Sequence, residues 1–465
     1  MKKRNRYLFK NTFIFALSSL STKLITFFLI PLYTWRLTTA EYGTVDLLFT
    51  ICNFVYPLLT LNIVEAVFRF SMDKNADHKK IINLGIICYC ICLIFGLPSV
   101  IILKSFSDYN NVAWLFYFHL ILLSSAQIML AFLKGQEKLK LFALGNIINT
   151  ALVAAFSVLF LCVFNFSVKG YFLAYIIANI ITSLYCIILG KIKLNFKKEY
   201  FDAELYKKMI KYSVVLMPTI FLWWIVNSSD KLMITILISS TANGIYAISY
   251  KIPSLLTMIG TIFNQAWMFS AINEVNSSDY KEYTNNIFQN LSMILMTSSV
   301  FVLIIVKYLF RFYVSAQFYS AWKYVPYLVI GYIFMTLSTF ISTSYNVHKD
   351  SKGFLFSALV GALSNILLNF ILIPFVGIHG AAIATMISYI IIFLYRFFDT
   401  KKYVEIRITV EQCISLILCI AVAALTYLNS YLATIAQSLI LITLVILFKK
   451  RIILCVKSLL KAVKK

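Results

Sequence analysis

STKLITFFLIPLYTWRLTTAEYGTVDLLFTICNFVYPLLTLNIVEAVFRF, residues 21–70, is two long apolar runs joined by a short polar turn. Lys23, Asp46, Glu65 and Arg69 are set within or against those runs. In hydrocarbon an ionised side chain near a helix centre costs roughly 2.5–3.5 kcal/mol on insertion scales, so it faces a partner or a wet cavity. The stretch therefore predicts spanning helices that keep charges for a purpose.

Working outward, the rest of the chain has the same character. Of its 465 residues 61% are hydrophobic and only 13% charged, and the mean hydropathy is +0.85. Soluble domains carry roughly a quarter charged residues. Runs of about 20 apolar residues recur fourteen times, near 11–35, 44–70, 81–103, 112–133, 141–166, 168–190, 212–238, 244–271, 290–310, 322–346, 354–375, 380–398, 411–428 and 431–448. The first follows MKKRNRYLFK and is too long for a signal-peptide core, so it is expected to remain as a span. The fold class expected is an all-α polytopic membrane protein of about 14 transmembrane helices.

A net charge of +24 invites a nucleic-acid reading, but the cations sort by side. Of the 42 Lys and Arg, 32 fall in or within a few residues of the termini and alternate loops on the N-terminal side and six likewise on the other; Lys23, Arg69, Lys231 and Lys251 are assigned to spans. By the positive-inside rule both ends are expected to face the cytoplasm. The basic balance is thus assigned to topology and membrane lipids, with no nucleic-acid partner.

The longest loop on that side, residues 191–211, divides the chain after six spans. The organisation expected is an N-terminal six-helix lobe over 1–190, an amphipathic linker over 191–211, a second six-helix lobe over 212–400, two further helices over 401–448 and a basic tail over 449–465. In the linker Phe201, Leu205 and Met209 recur every four residues; in the tail Ile452, Val456, Leu459 and Val463 share a face. Both patterns suit a short helix on an anionic membrane surface. Ser21–Thr26 is echoed at Ser229–Thr235, each in the first span of a half, as in transporters built from repeats.

No Gly-rich phosphate loop is present, and His78, His119, His348 and His379 stand apart. The nine Cys are scattered; Cys88, Cys90 and Cys92 alternate along one helix and cannot share a face as metal ligands would. No catalytic group, metal or cofactor is expected, and the chain reads as a non-enzyme. What remains are the charges. Lys23 lies mid-span, on the order of 18 Å from either end, and suits an anionic cargo, neutralisation by burial, or pairing with a single structural carboxylate. Glu65 and Arg69 have the spacing of a helical ion pair, with Arg69 close enough to the cytoplasmic end to snorkel. Asp230 and Lys231 point about 100° apart, so each must find a partner on another helix. Lys251 stands two residues before Pro253, which predicts a kink. Asp46, Glu65 and Asp230 are the acids available for ion coupling. Trp223 and Trp224, deep in a span, suit packing or a sugar-binding surface.

Several stretches together resemble the bacterial polysaccharide repeat-unit flippases of the multidrug/oligosaccharidyl-lipid/polysaccharide exporter superfamily. They are Ile30-Pro31-Leu32-Tyr33-Thr34, Glu41-Tyr42-Gly43, Val45-Asp46-Leu47, Glu65 to Phe70, Asp230-Lys231, Tyr250-Lys251-Ile252-Pro253, Gln265-Ala266-Trp267, and the late pattern Asn365, Asn369, Pro374, Gly377, Gly380-Ala381-Ala382. The resemblance implies two six-helix lobes around a central cavity, two extra C-terminal helices and alternating access. It also implies an undecaprenyl-diphosphate-linked oligosaccharide as cargo for O-antigen or capsule synthesis, and a polysaccharide polymerase as partner. Lys23, Arg69, Lys231 and Lys251 would then hold the diphosphate. Lys231 stands where the family often has Arg, which replaces a bidentate fork with a point charge. The competing readings are an ion-coupled drug exporter, whose cavity would favour carboxylates, and a membrane polymerase or ligase, which would need a larger external loop.

Overall fold

The computed structural model describes residues 2–73, 75–193 and 200–449, and the described residues form helices and turns without a strand. The chain divides into two compact units, one ending at Trp224 and the other beginning at Ile225. The amphipathic pattern of the C-terminal tail, from Ile452 to Val463, lies outside the described residues.

The first unit contains α1 (Lys2–Arg36), α2 (Thr39–Leu59), α3 (Ile63–Ser71), α4 (His78–Gly96), α5 (Pro98–Lys104), α6 (Ala113–Gly135), α7 (Leu139–Val158) and α8 (Ser167–Gly190). Its centre is α6, which packs against α2, α3, α4, α7 and α8. The start of α2 is set by a capping box: the Glu41 N–H donates to the Thr38 hydroxyl and the Glu41 carboxylate accepts the Thr38 N–H at 2.8 Å. Pro98 opens α5, and a π turn over Leu159–Val163 closes α7.

The expected single span 44–70 is instead two helices. Leu61 and Asn62 take left-handed backbone conformations between α2 and α3, and the Asn62 N–H reaches back to the Pro57 carbonyl. Asn tolerates that conformation; Leu does not readily, so the break is imposed by packing. Hydropathy cannot register it, because every residue through the break is membrane-compatible.

The bridge between the units is α9 (Ala203–Leu237), and it corrects the linker reading. The amphipathic turn is the first part of this helix, continuous with the span that follows. Met209 is fully buried and Tyr206 nearly so, packed with Leu205 into the core formed by α3, α4, α6 and α8. The Lys80–Asp202 ion pair at 3.0 Å and the Asn83 amide bond to the Tyr206 hydroxyl, also 3.0 Å, fix it there. The apolar face that suits a lipid surface thus suits a protein groove equally well.

The second unit holds the end of α9, then α10 (Ser240–Ser249), α11 (Lys251–Glu274), α12 (Tyr280–Tyr313), α13 (Val325–Val347), α14 (Ser351–Val376), α15 (Ile378–Asp399), α16 (Val410–Leu425) and α17 (Tyr431–Leu447). Its enclosed centre is α13, which packs against α11, α12, α14 and α15. The span 244–271 divides at Tyr250, with Pro253 in the first turn of α11, where a missing N–H is tolerated. Between α14 and α15 the chain turns at Gly377, at φ 62°. Gly380 then lets α15 approach so closely that a Cβ there would stand 2.3 Å from the Leu372 carbonyl oxygen.

Among the described residues ten helical segments are long and apolar enough to cross a membrane, and α16 and α17 are shorter apolar helices of 16 and 17 residues. Each of the fourteen expected spans falls on a helix or a broken helix pair. The chain is an all-α polytopic membrane protein. The most enclosed helix of each unit, α6 or α13, carries the fourth expected span of its half.

Candidate functional site

The second unit builds a polar centre around one carboxylate. Asp230 lies on α9, wholly buried, and its Oδ2 accepts three hydroxyl groups: Tyr246 at 2.7 Å, Tyr250 at 2.5 Å and Thr385 at 3.1 Å. Its Oδ1 accepts the Lys231 backbone N–H at 2.9 Å. One turn earlier on the same helix, the Asn227 carbonyl oxygen accepts the Tyr389 hydroxyl at 3.1 Å. Tyr332 stands against both the Tyr250 and Tyr389 rings, at 6.0 and 5.7 Å between centroids. Nearby, the Asn365 carbonyl oxygen accepts the Ser229 hydroxyl at 2.8 Å and the Asn369 amide at 2.9 Å, all three residues being buried. A buried carboxylate demands such donors, because desolvating its charge unaided is prohibitive.

Asn227 and Tyr332 also line a cavity of about 570 Å³ between α9, α11 and α13. Thr257, Thr261 and Asn264 of α11 and Thr336 and Thr339 of α13 add its other polar groups, with Met268 and Met335 beside them. Gly260 is needed where the helices close in, since a Cβ there would meet the Thr336 methyl at 2.2 Å. Among the described residues the lining is mostly apolar surface with hydroxyl and amide groups set in it, and it includes no charged side chain. It can hydrogen-bond a neutral polar ligand, and the Asp230 cluster shares its wall residues.

The expected site residues are dispersed by comparison. Lys23, Asp46, Glu65 and Arg69 belong to the first unit; Asp230, Lys231 and Lys251 belong to the second. Lys23 is half-buried on α1, and among the described residues no carboxylate pairs with it. Asp46 is half-buried on α2. The expected Glu65–Arg69 pair is not formed: Arg69 is exposed and pairs with Asp73 at 2.7 Å, one turn on, while exposed Glu65 acts electrostatically on Lys134. Lys231 lies with its ammonium 5.9 Å from the Tyr250 ring centroid, and Lys251 is half-buried at the start of α11. Trp224 packs on Phe54 at 4.2 Å and donates its ring N–H to the Thr50 carbonyl at 3.0 Å, a packing use.

What the sequence reading left open is the nature of Asp230's side-chain hydrogen-bond partners, which are hydroxyls. A signal was present. Tyr246 and Tyr250 are one helical turn apart in a short polar-flanked segment, so two phenols share a face.

Outside the spans, the unit is tied at one end by Asp350, which caps α14. The Gly353 N–H, the Lys402 ammonium and the Tyr403 hydroxyl hold its carboxyl down at about 2. In the first unit Asp202 is likewise held below its ordinary value, first by the Leu205 N–H and then by Lys80.

Among the described residues, ten membrane-length helices and two shorter apolar ones, with a buried carboxylate beside an uncharged cavity in the second unit, define an all-α polytopic membrane protein. The chain belongs to the polysaccharide biosynthesis protein family, whose model matches residues 8–273. It is 25% identical over 408 residues to an uncharacterized membrane protein of Methanocaldococcus jannaschii, covering 83% of this chain and 96% of that one. Among solved structures, the lipid II flippase MurJ in an inward closed conformation matches with a TM-score of 0.70 at 15% identity, covering 96% of this chain and 100% of MurJ. An inward-facing multidrug resistance MATE family transporter matches at 0.64 and 13% identity, covering 83% and 98%. The chain shares its fold with both.

Proposed function

We propose that this chain flips an undecaprenyl-diphosphate-linked oligosaccharide across the cytoplasmic membrane by alternating access, delivering repeat units to a polysaccharide polymerase on the far side. Both termini then face the cytoplasm. The observation that carries the reading is Lys23, a half-buried cation on a spanning helix without a paired carboxylate among the described residues. An anionic cargo would supply the missing charge. Lys231, Lys251 and, at the cytoplasmic mouth, Arg69 serve the same diphosphate. The family match and the hydroxyl- and amide-lined cavity add support, because sugars are recognised through such neutral groups.

Asp230 is the coupling residue in this reading, with Asp46 and Glu65 as alternatives. It is the one of the three that is wholly buried and encircled by hydroxyls, so a proton or a small cation can exchange against them. The test is depletion of the protein in its host, followed by lipid extraction. A diphosphate-linked oligosaccharide should accumulate on the cytoplasmic leaflet; an unchanged lipid pool with slowed efflux of organic cations would favour a drug exporter instead.

A further inference from the structure

A second cavity, of about 310 Å³, opens at the end of the second unit where α12, α16 and α17 meet. Lys307 and Arg311 enter it from the last two turns of α12, four residues apart and so on one face. Tyr319, Asn429, Ser430 and Thr434 add hydroxyl and amide groups. The Lys307 ammonium is pinned rather than neutralised. It donates to the Leu428 carbonyl at 3.2 Å and the Asn429 side-chain oxygen at 3.0 Å, and lies 4.4 Å from the Trp322 ring centroid. All three contacts are uncharged.

No carboxylate is at hand to finish the pairing. Among the described residues the cavity lining contains none, and the sequence has no Asp or Glu between Glu282 and Asp350 or after Glu411. Two like charges one turn apart repel, and an anion between them removes that repulsion. Beside the cations the surface is apolar and outward-facing: Phe312 is 80% exposed and Leu432 is 76% exposed. A phosphate alone would satisfy the cations and leave these side chains bare, whereas a phosphate carrying acyl chains satisfies both.

We propose that this cavity binds the phosphate of an anionic membrane phospholipid, with Arg311 offering its planar fork to two oxygens and Lys307 a fixed point charge. The acyl chains lie along the apolar flanks of α12 and α17. The lipid then acts as a wedge joining the two C-terminal helices to the rest of the unit.

The test uses the full-length protein in a mild neutral detergent, with native mass spectrometry to count retained lipid. The probes are phosphatidylglycerol, phosphatidylcholine and inorganic phosphate. Wild type should retain phosphatidylglycerol over phosphatidylcholine by about fivefold for each engaged cation. The double variant Lys307→Gln/Arg311→Gln should lose that preference, while Lys307→Arg and the distant surface change Lys401→Gln keep it. Absence of a phosphatidylglycerol preference in wild type, or its survival in the double variant, overturns the proposal. Inorganic phosphate displacing phosphatidylglycerol at equal concentration overturns the lipid assignment.

Discussion

The Tyr246 hydroxyl on α10 donates to the buried Asp230 carboxylate on α9 at 2.7 Å, joining a helix that bridges the two units to a short helix that ends at a break. Hydrogen bonds to a charged group contribute about 1.5–3 kcal/mol, and leaving one unmade in a buried site costs a similar amount. Tyr246→Phe is therefore expected to lower unfolding stability by about 1–3 kcal/mol in detergent, measured by denaturant titration. Asp230→Asn should be milder in stability, since an amide oxygen still accepts from the hydroxyls, yet it should abolish the dependence of transport on an ion gradient in reconstituted vesicles. Full gradient-driven transport by Asp230→Asn would remove the residue from coupling.

The turn between α14 and α15 separates two uses of glycine. At Gly377 the backbone conformation, φ 62° and ψ −137°, is the obstacle, and nothing lies within 4 Å of a would-be Cβ. At Gly380 the backbone is helical and the obstacle is the Leu372 carbonyl, 2.3 Å from a would-be Cβ. Both Ala variants should lose about 1–3 kcal/mol. They should differ in rescue: trimming Leu372 to Ala cannot help Gly380→Ala, because the clash is with main chain. Thermal unfolding of the single and paired variants checks this.

Span positions and the all-α class were legible because hydrocarbon admits few backbone arrangements, so apolar length alone reports a helix. The break at Leu61–Asn62 was illegible for the same reason: interrupting a helix inside protein changes no hydropathy. The linker at Leu205–Met209 was misread because an amphipathic face records only that something apolar covers it. Asp230 and Lys231 were legible as costly charges, but their partners were not. Tyr246, Tyr250 and Thr385 are brought to the carboxylate by the folding of three helices, and hydroxyl side chains are too common in this chain to stand out singly.

Asp350 gives a pH dependence whose sign is fixed by its partners. Its carboxyl sits near about 2 in the folded chain against an ordinary 3.8, so folding favours the ionised form. The contribution is complete above the ordinary value and is lost as pH falls from about 4 through about 2. Unfolding titrations of wild type and Asp350→Asn should differ most above that window and converge within it. A constant difference down to the lower limit would show that the cap, not its charge, carries the effect.

Lys23 separates the two transport readings most directly. A diphosphate binds a cation by charge first and geometry second, so Lys23→Arg should keep a measurable share of surface-polysaccharide export while Lys23→Ala and Lys23→Met lose nearly all of it. Removing a group that engages a buried anion typically costs 2–5 kcal/mol, a loss of about thirtyfold or more in affinity. Because Lys23 is half-buried without a paired carboxylate among the described residues, the same changes relieve a desolvated charge and should leave membrane insertion and unfolding stability equal or slightly improved. A functional lysine and a structural one thus move stability in opposite directions when truncated. Export assayed beside unfolding of the purified variants tells them apart, and wild-type export by Lys23→Ala would leave the diphosphate role without its central residue.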